Sequence, residues 1–213
     1  REEAYHAWNE RLSAISVETE DERQLEIFYS NFYHTLVKPS DWSGENFIDP
    51  QEDTLLLDFA TLWDQYKTQM PLLFTLYPDI AEKVMQTFRT YACTLGHMPH
   101  MLLLNGDYAM RDDDQAKMLA AHTVVDAFYR NIPADYLELL RLIVYDLENS
   151  EDMQEYQQDG ICSKVAQTID MADGCHAAAE MAQKLGCEET ACKLKELAGY
   201  WIHAFDKETG LLK

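Results

Sequence analysis

Trp63 and Asp64 stand side by side within the run from Leu57 to Leu73, whose other residues pattern like a helix of the protein interior. An indole face covers the apolar C–H surface of a sugar ring, and a neighbouring carboxylate accepts hydrogen bonds from two of its hydroxyls. Together these chemistries suit a carbohydrate. The competing reading is a core tryptophan followed by an aspartate on the solvent face, because most aromatic residues on helices are core. The dipeptide alone leaves both open.

Few other residues combine useful chemistry with useful spacing. Arg111-Asp112-Asp113-Asp114-Gln115 gathers carboxylates of the kind that attract hard cations. Consecutive helical residues point about 100° apart, however, and acidic residues at a helix start are favoured by the macrodipole, so the run is read as capping. Cys93, Cys162, Cys175, Cys187 and Cys192 are odd in number and lack C-x-x-C or Cys/His metal spacing. Neither a zinc site nor a disulfide scaffold is expected from them, and no metal site is assigned. They fit a reducing, cytoplasmic home, although a secreted chain whose leader had been removed would read similarly. His34 and His122 read as satisfied helix histidines, and no Ser/His/Asp or Cys/His spacing is legible.

The charge balance restricts the partners. Thirty-eight acidic residues against 17 basic ones give a formal charge of −21, which repels phosphate backbones and anionic membrane surfaces. Nucleic acid and membrane are therefore not expected as partners, whereas an uncharged sugar passes this filter. No apolar run approaches the ~18 residues needed to cross a bilayer, and Arg1-Glu2-Glu3-Ala4-Tyr5 does not read as a signal peptide. A chain of 213 residues with 47% hydrophobic content can bury a sizeable core.

The elements that must position Trp63 and Asp64 are helical, because the apolar residues recur at helical spacing nearly throughout and no alternating run suggests a strand. Helices are expected over Glu3 to Val17, Asp21 to Val37, Phe59 to Leu76 and Asp79 to Leu95. Four more are expected over Asp112 to Arg130, Ala134 to Leu147, Ser163 to Leu185 and Glu188 to Phe205. Residues 38–57 and 96–112 read as long irregular stretches, the first holding Pro39, Gly44 and Pro50. Short links force neighbouring helices to run antiparallel, so the fold is expected to be all-α, built of stacked antiparallel helix pairs. Such pairs form either part of a toroid or part of an open superhelix. The absence of a 34-residue repeat counts against a regular solenoid.

Four stretches, in order along the chain, resemble one family. Thr61-x-Trp63-Asp64-x-x-Lys67-x-x-x-Pro71-Leu72-Leu73 is similar to the "S-x-W-D-x-x-R-x-x-x-P-L-L" signature of glycoside hydrolase family 92, the calcium-dependent, inverting α-mannosidases. The segment from Glu26 to Pro39 resembles the family's "F-Y-T-A-L-Y-H-x-x-x-x-P" helix. Gly96-His97-Met98-Pro99 and Val125-Asp126-Ala127-Phe128 resemble "G-W-x-P" and "A-D-A-Y". Val165 to Ala172, followed by Met181 to Gly186, fits "V-S-x-T-L-E-Y-A…M-A-x-x-L-G" without gaps. Within that last stretch Asp170 stands where the family has Glu, and His176 where it has Trp.

The resemblance implies part of an (α/α)6 toroid and an inverting exo-α-mannosidase acting on α-mannosides of glycans. In it Trp63 would be the sugar platform, Asp64 the hydroxyl acceptor, and Lys67 the stand-in for the family arginine, without its planar bidentate bonding. Inversion needs a carboxylic acid for the leaving oxygen and a carboxylate to activate water. The nearest match to the acid's motif is Asn105-Gly106-Asp107-Tyr108-Ala109-Met110, which makes Asp107 the candidate acid; no glutamate lies between Glu82 and Glu138. Calcium is implied as cofactor, but no stretch of this sequence matches the family's calcium-binding or general-base motifs. Residues 1–213 are thus expected to be a single, incomplete toroid domain, lacking the family's N-terminal β-sandwich and the C-terminal part of the barrel. A missing domain or partner chain would complete it, and the chain alone is expected to be inactive. The alternative is a non-catalytic helical binding or scaffold module, with another enzyme on the same toroid as a third reading.

Overall fold

The computed structural model describes every residue except 60–61, 100–101, 105–109, 112–117, 150, 164 and 213. Two compact units divide it, residues 1–40 and 41–213. Helices dominate both, with ten α-helices among the described residues.

The first unit holds α1 (Glu2–Leu12) and α2 (Glu22–Leu36). Asp21 begins α2 as a side-chain cap, accepting from the backbone N–H groups of Arg23 and Gln24. Trp8 of α1 meets Tyr33 of α2 with ring centroids 4.5 Å apart, and Tyr29 donates its hydroxyl to the Ile15 carbonyl at 2.9 Å. α1 ends five residues earlier than the pattern predicts, and none of its residues is buried.

In the second unit, α3 (Leu62–Gln65) and α4 (Gln69–Leu76) replace the single helix expected from Phe59 to Leu76. Pro71 explains the break. It has no N–H to give the Lys67 carbonyl, so the chain restarts at Gln69 and places the proline in the first turn of a new helix. Thr68 reinforces the break by donating its hydroxyl to the Asp64 carbonyl.

α5 (Pro78–Leu95) opens with proline in its first turn and closes on Gly96 in the left-handed conformation, φ 82°. α6 (Leu119–Tyr129), α7 (Tyr136–Asn149), α8 (Glu151–Asp159), α9 (Val165–Lys184) and α10 (Glu188–Ala198) follow, and a 3₁₀ helix over Gly199–Ala204 ends the run. Short strand pairings, among them the antiparallel pairs Leu103–Leu104 with Met110–Arg111 and Phe205–Asp206 with Leu211–Leu212, depart from a purely helical expectation.

α9 is the axis of this unit. It packs on α6, α7, α8, α10 and the 3₁₀ helix, and it is buried on several faces through small residues such as Ala172, Gly174, Cys175, Ala178 and Ala182. Small side chains let neighbouring backbones come close. At Gly174 an added Cβ would lie 2.8 Å from the Met118 carbonyl oxygen, where α6 begins. The link to α10 turns at Gly186, φ 77°, whose N–H reaches the Gln183 carbonyl while the Cys187 N–H reaches Ala182. That pair of bonds is a Schellman closure, and the short link makes α9 and α10 an antiparallel hairpin.

Candidate functional site

Trp63 sits on α3, which packs on α6, which in turn packs on α9. The indole is half-buried, and its N–H donates to Asp170 Oδ2 on α9 at 2.5 Å. The Asp64 side chain, at the next position, is exposed. Trp63 is therefore neither sealed in the interior nor free: its nitrogen edge is anchored across the fold, beside a carboxylate open to solvent.

Lys67 follows in the turn after α3. Its ammonium lies 3.5 Å from Asp173 Oδ2 and 4.9 Å from the centre of the Tyr66 ring. The same Asp173 oxygen is 3.1 Å from His122 Nε2 on α6, in ion-pair range but off the line of a hydrogen bond. The Tyr66 and His122 rings stack at a tilt, 5.2 Å between centroids. Three elements thus bring Trp63, Lys67, His122, Asp170 and Asp173 into one cluster, with the two aspartates one turn apart on α9.

Burial sets the electrostatics of this cluster. It pushes the Asp170 carboxyl above the usual carboxylate range, against the opposing Trp63 hydrogen bond, and the Asp173 charge adds to the rise. Burial also holds the His122 imidazolium below the usual histidine range, more strongly than the Asp173 carboxylate supports it. At neutral pH the arrangement supplies an uncharged imidazole, an aromatic plate and hydrogen-bonding carboxylates, a set that recognises hydroxyl groups.

Of the residues expected from sequence, Trp63, Asp64 and Lys67 fall on one short segment, with Trp63 and Lys67 both bound to α9. Asp107 lies outside the described residues, as do Asp112, Asp113 and Asp114. Its flanking segment begins beside the same region, since the Leu102 N–H donates to the Phe59 carbonyl at 3.1 Å, four residues before Trp63. Among the described residues no group of three or more His, Cys, Asp or Glu could hold a metal ion, so the calcium implied by the resemblance finds no ligand set there. No helix among the described residues is long and apolar enough to cross a membrane.

Sequence reasoning missed Asp173 and gave His122 a bland role. The signal for Asp170 was present, as a departure from the family's glutamate. A shorter carboxylate at that position still reaches the indole N–H.

The fold has solved relatives. The family GH92 inverting mannosidase BT2199 from Bacteroides thetaiotaomicron superposes with a TM-score of 0.85 at 21% identity, over 99% of this chain and 31% of that one. The family GH92 α-mannosidase BT3965 of the same organism gives 0.84 at 18%, over 97% and 30%. Its complex with mannoimidazole gives 0.83 at 18%, over 97% and 29%. The chain therefore spans about three-tenths of the length of these structures. The fold class expected from sequence, all-α with helix pairs of the α/α toroid kind, is the one the chain has. No curated protein sequence matches it. The model of the glycosyl hydrolase family 92 catalytic domain matches residues 1–213, and the chain belongs to that family.

Proposed function

We propose that this chain supplies part of the sugar-binding wall of an inverting exo-α-mannosidase acting on α-mannosides of glycans. Trp63 is the platform for the ring, Asp64 accepts from its hydroxyls, and Lys67 is a charged support. One observation carries the reading: an indole anchored at its nitrogen edge by Asp170 stands next to an exposed carboxylate. An anchored platform loses little freedom when a ligand arrives, which favours binding. Family membership and the mannosidase names of the solved relatives support the same substrate class.

Residues 1–213 are read here as one part of a single catalytic domain. Inversion needs an acid and a water-activating carboxylate about 6.5–9.5 Å apart. Asp107 is proposed as the acid, while the base and the calcium ligands belong to the rest of such an enzyme, on the same polypeptide or on a partner chain. No residue described here is assigned to calcium.

Calorimetric titration with methyl α-mannoside, methyl α-glucoside and methyl α-galactoside tests the reading. Saturable heat with the mannoside that exceeds the heat with the other two supports it. Equal or absent heat across the three favours the scaffold reading, in which the Trp63–Asp170 bond is only a structural tether.

A further inference from the structure

Asp173 Oδ2 lies between two basic side chains from different elements. Lys67 Nζ, in the link between α3 and α4, is 3.5 Å away, and His122 Nε2 of α6 is 3.1 Å away. The two contacts are unequal. The Lys67 side chain is 65% exposed, so water screens its pairing, whereas the His122 side chain is only 19% exposed. The His122 Nε2 atom is buried and has no hydrogen-bond partner. On a neutral ring that nitrogen either turns a lone pair toward the carboxylate or aims its hydrogen off the line to it. A proton taken up from solvent makes both ring nitrogens donors and turns the contact into a charge-assisted hydrogen bond in a poorly screened place.

That bond needs Oδ2 to come into line with the ring. The Lys67 contact, already near the 4 Å limit of an ion pair, is the one that lengthens. Repulsion works the same way, because the Lys67 charge opposes an imidazolium. The charged and titratable groups facing His122 are Asp173 from α9 and Lys67 and Tyr66 from the link, while Asp170, one turn before Asp173, faces Trp63. Burial holds the imidazolium below the usual histidine range, so the exchange falls on the acid side of about 6.5.

The link matters to the site because α3 is only four residues long. Trp63–Asp170 and Lys67–Asp173 tie this segment to α9, and the Tyr66 ring rests on His122 of α6. Without the Lys67 tie, the first of these two must hold α3 against α9 alone. A platform with more freedom loses more of it on binding, which weakens affinity.

We propose that Asp173 is a shared counter-ion, handed from Lys67 to His122 when the imidazole gains a proton, so that acid loosens the α3–α4 link and weakens the grip of the Trp63–Asp64 site on its ligand. The ligand's identity rests on the mannoside reading; the exchange of partners at Asp173 does not.

Trace acetylation of the 213-residue chain between pH 8 and pH 5, read by peptide mass spectrometry as the ratio of Lys67 to the exposed Lys207, follows the Lys67 tie without any sugar. NMR of the imidazole ring, assigned with His122→Gln, gives the midpoint of His122, and calorimetry with methyl α-mannoside at both pH limits gives affinity. In the parent the ratio should rise about two- to fivefold with the His122 midpoint, the worth of one exposed ion pair. It should stay flat in His122→Gln and be high at every pH in Asp173→Asn, with circular dichroism of both variants matching the parent. Mannoside affinity should fall by a similar factor in the parent and by less in His122→Gln, which retains the titration of Asp170. A flat ratio in the parent, a rise that persists in His122→Gln, or a His122 ring that takes up no proton above pH 5 overturns the proposal. Mannoside bound equally well at both limits also overturns it and leaves the mannoside reading standing. The expected ratios with no mannoside bound at any pH support the exchange and refute the mannoside reading.

Discussion

The Trp63 indole N–H and Asp170 Oδ2 are 2.5 Å apart although 107 positions separate them in sequence. That single bond fixes a four-residue helix, too short to hold its own shape, against the long buried helix α9. It decides how the tryptophan is presented, and through it where Asp64 emerges.

Replacing Asp170 with alanine leaves a half-buried N–H without its acceptor. The expected loss is about 1–3 kcal/mol, read from chemical denaturation. Asp170→Asn keeps an acceptor oxygen and should lose less. The pH response separates these variants further. Because burial raises the Asp170 pKa in the folded chain, the folded state holds that proton more tightly than the unfolded state. Stability from this group therefore falls as pH rises from about 3.9 through the raised folded value. Asp170→Asn should remove that component; an unchanged acid limb of the stability profile would contradict the assignment.

His122 acts in the opposite direction. Its folded pKa is lowered, so below about 6.5 the unfolded chain binds the proton more readily. Its contribution to stability is present above that pH and is lost as pH falls through the folded value. The melting temperature should drop between pH 7.5 and pH 5, and His122→Gln should flatten that drop. The groups facing this imidazole are Asp173, Lys67 and Tyr66, so Asp173→Asn, which removes the supporting carboxylate, should steepen it. An identical slope in all three proteins would refute the account.

Gly174 on α9 lies tight against Met118, the residue that caps α6. A methyl group there meets the Met118 backbone carbonyl, which has no side-chain freedom to yield. Gly174→Ala should cost about 1–3 kcal/mol, the usual penalty of overpacking, despite alanine's better helix propensity. Gly199, with nothing within 4 Å of an added Cβ, provides the control. Gly199→Ala is expected to stay within about 0.5 kcal/mol of the parent in the same denaturation experiment.

Much of this fold is written in local sequence. Asp21, Asp79, Gly96 and Gly186 mark helix ends, and each stands within two residues of the boundary it predicts. α8 escaped because only Met153 and Tyr156 among its described side chains are fully buried, too few to make an apolar stripe. The split between α3 and α4 was legible in Pro71 but was overridden by the continuous run of apolar residues around it. The site divides along the same line. Trp63, Asp64 and Lys67 could be picked out because they share a short segment. Their partners on α6 and α9 could not, since His122 and Asp173 meet Lys67 only through packing, and neither carries a spacing signal of its own.

The central claim is that Asp64, presented by the anchored Trp63, takes the hydroxyls of a mannoside. Calorimetric titration of Asp64→Ala with methyl α-mannoside, paired with its melting temperature, measures this directly. The account predicts at least about a tenfold loss of affinity with the melting temperature unchanged, since the side chain is exposed. Affinity equal to that of the parent chain, or a loss of affinity accompanied by an equal loss of fold, would contradict it.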